Sequence, residues 1–155
     1  MKAATIHEIK KELEKKEGRE LVSYCLRLAK FKKENKELLD FLLFQSGDVE
    51  EYVENLKAET EELFTAINYS NIFFIKKSIR KILRMLNKHN RFILSRQVEA
   101  EILIHFCNCI LKYAVPLKKS RQLQILYNTQ LAKIEAALLT LHPDLQYDLR
   151  RQLNL

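Results

Sequence analysis

Glycine, proline and tryptophan are almost absent from this sequence. The 155 residues include two glycines, two prolines and no tryptophan. Glycine-rich phosphate-binding loops, dinucleotide-binding turns and β-sandwiches with many tight turns all need more glycine and proline than this. Collagen-like and low-complexity classes are excluded for the same reason. Since 47% of the residues are apolar and 30% are charged, the composition indicates a folded and mainly helical domain.

Long apolar segments and paired cysteines are lacking as well. The longest stretch without a charged side chain, residues 63–75, is shorter than the roughly 20 apolar residues that cross a bilayer. The first twenty residues carry charges throughout and have no apolar core of a secretory signal. The three cysteines, Cys25, Cys107 and Cys109, lie in apolar helical patterns. We therefore predict a cytoplasmic protein with reduced cysteines and no membrane span.

Apolar residues recur with the helical period along the whole chain, and no segment alternates with period two for long enough to form a strand. Capping residues and polar turns divide the chain into about eight helices, predicted at residues 5–18, 19–33, 35–46, 48–67, 72–90, 95–115, 120–141 and from 142 onward. Short connections favour antiparallel neighbours. The predicted fold class is all-α, with a single domain over residues 1–155 built as a helical bundle or a short stack of helical hairpins.

Two local expectations concern the first three helices. Thr5 and Glu8 have the spacing of a capping box at the start of the first helix, and Gly18 is expected to end that helix. Segment 35–46 is apolar on most sides. We therefore expect this third helix to lie deep in the protein.

Charge is distributed unevenly along the sequence. Residues 48–62 hold seven acids and one lysine, whereas residues 63–98 hold eight basic residues and no acid. On a helix with 3.6 residues per turn, seven of these basic residues fall within one arc of about 140°. We call this set the basic face: Lys76, Lys77, Arg80, Lys81, Arg84, Lys88 and Arg91.

Two interpretations of the basic face are open from the sequence. It binds an anionic partner, or the acidic fourth helix neutralises it through Glu50, Glu51, Glu54, Glu59, Glu61 and Glu62. Residues 59–62 (ETEE) have the composition of a solvated helix face. The neighbouring aromatic residues Phe73, Phe74 and Phe92 are predicted to be core residues, not platforms for stacking bases.

Residues 105–109 place a histidine and two cysteines close together in sequence. Zinc sites commonly pair cysteines two to four residues apart and need further ligands elsewhere. On a helix, Cys107 points about 200° away from His105 and Cys109. Cys25 is the only other cysteine. We predict no metal site here and interpret Cys107 and Cys109 as small core residues.

The sixth helix also carries a thin polar strip on an otherwise apolar surface. The strip includes Glu101, His105, Asn108 and Lys112. Such a strip can line a ligand pocket, with Glu101 and His105 placed for proton transfer. The alternative is that it is simply the part of the helix that reaches water.

Residues 70–86 (SNIFFIKKSIRKILRML) and 141–148 (LHPDLQYD) resemble segments of a family of small all-helical bacterial proteins. The similarity runs over most of the chain. The resemblance implies an all-helical bacterial protein. That family has no assigned reaction, cofactor or catalytic residue, so the resemblance assigns no role to any position.

These patterns predict a non-enzymatic interaction or scaffold module that presents the basic face to an acidic protein partner or self-associates. The alternative is sequence-independent binding of nucleic-acid backbone through the same face, which a calculated isoelectric point near 9.3 permits. A third hypothesis is a small enzyme with a pocket near Glu101 and His105. No catalytic residue, cofactor or metal is predicted.

Overall fold

The computed structural model describes residues 1–153, and within them the protein is all-α, as predicted. A π-helical turn, Phe41–Gln45, and a 3₁₀ turn, Leu117–Lys119, connect some of the helices. The eight α-helices are α1 (Ile6–Leu13), α2 (Gly18–Phe31), α3 (Lys33–Asp40), α4 (Val49–Thr65), α5 (Ile72–Ile93), α6 (Arg96–Lys112), α7 (Arg121–Leu138) and α8 (Pro143–Gln152). Along the described part of the chain, no helix is long and apolar enough to span a membrane.

The chain divides into two compact units, Met1–Ser46 and Gly47–Leu155. In the first unit, α2 and α3 pack together, and the Asn35 side-chain amide donates a hydrogen bond to the Leu28 carbonyl oxygen at 2.8 Å. Phe41 is the only buried residue among the first 46. The prediction of one domain over the whole chain stays a prediction.

The expectation that segment 35–46 lies deep is wrong. Leu42, Leu43 and Phe44 are 54%, 64% and 76% exposed, and only Phe41 is buried. The segment is also not one regular helix, since α3 ends at Asp40 and gives way to the π-helical turn. An apolar surface on most sides predicts burial only where other elements are available to cover it.

Capping residues set several of the helix boundaries. Thr5 and Glu8 form the predicted capping box on α1. The Asp48 side chain accepts a hydrogen bond from the Glu51 backbone N–H at 2.9 Å and begins α4. The expectation for Gly18 is wrong: α1 ends at Leu13, and Gly18 is the first residue of α2.

Helix α6 is the centre of the second unit and contacts α4, α5, α7 and α8. Helices α4 and α6 run in the same direction, because Lys57 pairs with Glu101 and, further along both helices, Phe64 packs on Phe106. Burial covers most sides of α6, and the residues involved are Ala100, Ile102, Leu103, Ile104, Phe106, Cys107, Cys109 and Ile110. This unit is therefore a bundle built around one helix.

Two residues other than glycine adopt left-handed backbone conformations in the described part of the chain. Leu94, at the end of α5, has φ of 55°, and Ala114, just after α6, has φ of 50°. A side chain in this region costs roughly 1–2 kcal/mol relative to glycine. Neither of the two glycines, Gly18 and Gly47, has a positive φ.

Candidate functional site

The basic face lies on one side of α5, opposite the residues that anchor this helix in the core. Ile75, Ile79, Ile82 and Leu86 are buried and repeat at three- and four-residue spacing. Lys77, Arg80, Lys81, Arg84 and Arg91 are exposed, whereas Lys76 and Lys88 are half-buried. The helical period therefore separates the apolar and cationic sides of α5.

Two members of the basic face contact a neutral side chain. Lys76 Nζ and Arg80 Nη2 each donate to the Gln122 side-chain oxygen of α7 at 3.2 Å. Within residues 1–153, no acidic side chain lies within 4 Å of Lys77, Lys81 or Arg84. These cations are directed toward solvent.

Two acidic residues of α4 form ion pairs away from the basic face. Glu54 binds Lys57 at 2.8 Å within α4, and Glu61 binds Lys112 of α6 at 2.8 Å. These hydrogen bonds hold the pKa values of Glu54 and Glu61 below their ordinary value. In the described residues, the ion pairs of α4 are thus made within α4 and with α6.

Two open grooves follow the exposed side of α5. The first, of about 440 Å³, is lined by Phe73, Lys76, Lys77, Arg80, Leu83, Arg84 and Asn87. The second, of about 480 Å³, lies where α5 meets α6 and is lined by Asn87, Asn90, Arg91, Leu94, Ser95, Arg96 and Glu99. Asn87 belongs to both, so the two grooves adjoin.

The prediction of Phe73 and Phe74 as core residues is wrong. Phe73 is 60% exposed, Phe74 is 45% exposed, and Phe92 is half-buried. At 100° per residue, Phe73 falls in the arc of the basic face and not in the arc of the buried isoleucines. The basic face therefore has an exposed aromatic side chain at its N-terminal end.

A second group of polar residues lies between α4 and α6. Glu61 Oε1 is 3.7 Å from Cys109 Sγ and 3.9 Å from His105 Nε2. His105 Nε2 and Cys109 Sγ are 3.6 Å apart. Cys109 is buried, while Glu61 and His105 are half-buried. We call Glu61, His105 and Cys109 the α4–α6 cluster.

The second carboxylate oxygen of Glu61 is held by two donors. Glu61 Oε2 accepts hydrogen bonds from Lys112 Nζ at 2.8 Å and from the Tyr113 hydroxyl at 2.6 Å. The Tyr113 ring is stacked on Phe64, with 5.6 Å between the ring centroids. Packing of the aromatic ring thus helps to fix the orientation of the carboxylate.

Burial governs the protonation of the other two members of the cluster. Desolvation lowers the pKa of His105 and therefore favours the neutral imidazole. Desolvation, together with the nearby Glu61 carboxylate, raises the pKa of the Cys109 thiol to about 12. Without a further cation, the cluster contains a neutral imidazole, a neutral thiol and one carboxylate.

The polar strip predicted on α6 is distributed among different partners. Glu101 pairs with Lys57 at 2.5 Å, and His105 and Lys112 both face Glu61. Asn108 points toward α8, where its amide donates to the Gln152 carbonyl oxygen at 2.7 Å. Three strip residues therefore lie along the α4–α6 interface, and Asn108 lies on another side.

Glu61 is not among the candidate site residues that the sequence predicts. The composition of residues 59–62 indicates a solvated face, and Glu59 and Glu62 are indeed exposed. Thr60, however, is fully buried, and Glu61 faces α6. The apolar residues Val53, Leu56 and Phe64 mark the buried side of α4, but they do not indicate which helix Glu61 contacts.

Comparison with known proteins finds no matching family model, no matching curated protein and no matching solved structure. The resemblance to small helical bacterial proteins therefore stays a prediction.

Proposed function

We propose that this protein is a non-enzymatic interaction module whose basic face binds an acidic protein surface. The observation that carries this proposal is the exposed row of cations on α5, whose members Lys77, Lys81 and Arg84 have no acidic neighbour within 4 Å in residues 1–153. Residues 63–98 contain eight basic residues and no acid, so α5 itself supplies no counterion to these three cations. An acidic partner would supply the missing charge.

The shape of the surface supports a protein partner. Lys76 and Arg91 are about 22 Å apart along the helix axis, since an α-helix rises 1.5 Å per residue. Phe73 and Leu83 line the same groove as the cations. The exposed Phe73 ring and the half-buried Leu83 beside the charged row favour a partner that buries apolar area as well as pairing charges. A partner helix with acidic residues at four-residue spacing and leucines between them would both bury apolar area and pair with the cations.

The test is fluorescence anisotropy with a labelled amphipathic peptide that carries Glu at every fourth position and Leu on the adjoining face. The double variant Arg80→Glu/Arg84→Glu is expected to weaken binding at least roughly tenfold, because attraction becomes repulsion at two central positions. Lys118→Glu/Lys119→Glu is the matched control, since it makes the same charge change at exposed residues outside the basic face. Equal weakening by both variants contradicts the proposal.

Nucleic-acid backbone is a second candidate because of the regular spacing of the cations. Lys76, Arg80 and Arg84 follow one another at four-residue intervals, which places successive charges about 6 Å apart along the axis. Phosphate groups along an extended strand are similarly close. A labelled single strand and a duplex of mixed sequence, titrated at about 50 and 200 mM salt, are expected to show steep salt dependence if backbone charge drives binding. Binding of the peptide without binding of either nucleic acid favours the protein partner.

A further inference from the structure

The α4–α6 cluster brings three different metal-ligating atoms together. A carboxylate oxygen of Glu61, the Nε2 atom of His105 and the Sγ atom of Cys109 form a triangle with sides of 3.6, 3.7 and 3.9 Å. In tetrahedral zinc sites, metal–ligand distances of about 2.0–2.3 Å place neighbouring ligand atoms roughly 3.3–3.7 Å apart. The triangle therefore nearly has the size of one face of such a site.

We propose that Glu61, His105 and Cys109 bind a divalent transition-metal ion, with Zn²⁺ as the expected occupant. Nitrogen, sulfur and carboxylate oxygen donors together suit zinc, whereas a site for Mg²⁺ or Ca²⁺ is built from oxygen atoms. The three protein ligands leave a fourth tetrahedral position open for water or another small ligand.

Local structure holds the three donors in place. His105 and Cys109 are four residues apart on α6, so they lie on the same face of one helix. Glu61 comes from α4, and its second oxygen is already bound by Lys112 and Tyr113. Such outer hydrogen bonds orient metal-ligating carboxylates in metal sites generally. The oxygen that faces His105 and Cys109 is the one left for the ion.

The charge of the surroundings also suits a divalent cation. The cluster and the ion-paired residues around it hold three negative charges, on Glu54, Glu61 and Glu101, against two positive ones, on Lys57 and Lys112. When Zn²⁺ binds, the S–H bond of Cys109 breaks, a Zn–S bond forms, and the proton is released to solvent. Binding therefore adds a net charge of +1, and the side chains together with the bound ion become neutral overall.

The test uses the full chain, stripped with a chelator and titrated with Co²⁺. Cobalt bound tetrahedrally through a thiolate gives strong visible bands and a sulfur-to-metal charge-transfer band, which report both geometry and the sulfur ligand. We expect a single equivalent to produce these bands, and Zn²⁺ to displace the cobalt and raise Tm. Absence of the charge-transfer band in excess Co²⁺ overturns the proposal.

Cys109→Ala and Cys107→Ala form a matched pair. Both residues are fully buried in α6, so both changes remove a similar volume, but only Cys109 belongs to the cluster. The spectrum should be lost in Cys109→Ala and kept in Cys107→Ala. A spectrum that survives Cys109→Ala, or that disappears in both folded variants, contradicts the assignment. If Cys109→Ala does not fold, His105→Leu takes its place as the test variant. It should also lose the spectrum.

Tyr113→Phe tests the outer hydrogen bond separately. The change keeps the ring that stacks on Phe64 and removes only the hydroxyl that binds Glu61. Loss of such an outer partner typically weakens metal affinity roughly 10–100-fold. We therefore expect weaker Co²⁺ binding with an unchanged spectrum, and unchanged affinity would contradict a role for the Tyr113 hydroxyl in orienting Glu61 for the ion.

Discussion

The two compact units differ sharply in how many of their apolar residues are buried. Among residues 1–46, Phe41 alone is buried, while Leu28, Phe31 and Phe44 are 60%, 78% and 76% exposed. In residues 47–153, every α-helix contributes buried residues, and α6 contributes eight. Both regions have amphipathic helical sequences. The difference shows that a helical pattern specifies a face without specifying that the face is covered.

Size and connectivity explain the difference. The fraction of surface that a chain can bury rises with its length, and a unit of about 46 residues is at the lower limit for an independent core. Helix α6 is covered because it contacts four other helices. In the first unit, α2 and α3 pack mainly against each other. Their outer apolar residues consequently remain exposed.

The largest expected difference between the units is in thiol reactivity. Cys25 in the first unit is exposed, whereas Cys107 and Cys109 are buried. Burial raises the pKa of Cys107 to about 12, which lowers its thiolate fraction roughly a thousandfold relative to a thiol at the ordinary value of 9.0. Labelling of the native, metal-free protein with iodoacetamide, followed by peptide mass analysis, should modify Cys25 first. Equal labelling of all three cysteines before unfolding would remove the contrast.

Truncation of one phenylalanine in each unit should give the next largest difference. Phe106 is fully buried and packs edge-to-face on Phe64 at 5.8 Å, so Phe106→Ala should reduce the free energy of unfolding by about 3–5 kcal/mol. Phe44→Ala, at a side chain that is 76% exposed, should change it by less than about 0.5 kcal/mol. Chemical denaturation measures both. A large loss for Phe44→Ala would show that the first unit depends on this side chain.

A gain in stability is expected at Gln130. This residue is 3% exposed, and its side-chain oxygen has no hydrogen-bond partner. Gln130→Met keeps the length of the side chain and removes the buried polar atoms, so we expect stabilisation by about 1 kcal/mol. Gln45→Met, at an exposed position in the first unit, is the control and should have little effect. Destabilisation by Gln130→Met would indicate that the amide has an essential partner.

The smallest effect is expected at the ion pair between α7 and α8. Two hydrogen bonds of 2.6 Å from Arg150 hold the pKa of Glu135 below its ordinary value. A lowered pKa in the folded state adds stability above the unfolded pKa, and this is lost as pH falls through the folded value. Arg150→Gln should therefore lower Tm slightly at neutral pH and not in acid.

The exposed pair of Glu12 and Lys15 in the first unit supplies the comparison for this experiment. Its atoms are also 2.6 Å apart, but the two residues are neighbours along one chain segment. Exposed pairs of this kind contribute little, so Lys15→Gln should leave Tm unchanged at every pH. An equal acid-dependent loss in both variants would mean that the pair between α7 and α8 has no special role.

Much of the fold can be predicted from local sequence. The capping residues Thr5 and Asp48 act as their spacing indicates, because a cap depends on residues three positions away. The separation of cations and isoleucines on α5 is likewise a property of one helix. These features depend only on neighbouring residues, whereas the local expectation for Gly18 is wrong because α1 already ends at Leu13.

Features that depend on packing between helices could not be predicted from the sequence. Segment 35–46 looks deeply buried by composition, yet Leu43 and Phe44 are exposed, because the periodicity carries no information about what covers them. Glu61 is the clearest case in the candidate sites. Its contacts with His105 and Lys112 depend on the register between α4 and α6, and these residues are more than forty positions apart.

The backbone conformations of Leu94 and Ala114 have a consequence for protein engineering. These two residues stand at either end of the segment that contains α6, and each occupies a conformation that glycine adopts without cost. Gly18 and Gly47 thus lie at positions that do not require glycine, whereas Leu94 and Ala114 lie at positions where glycine would relieve backbone strain. Stability can therefore be added at these two junctions, leaving the apolar core, the basic face and the side chains of the α4–α6 cluster as they are.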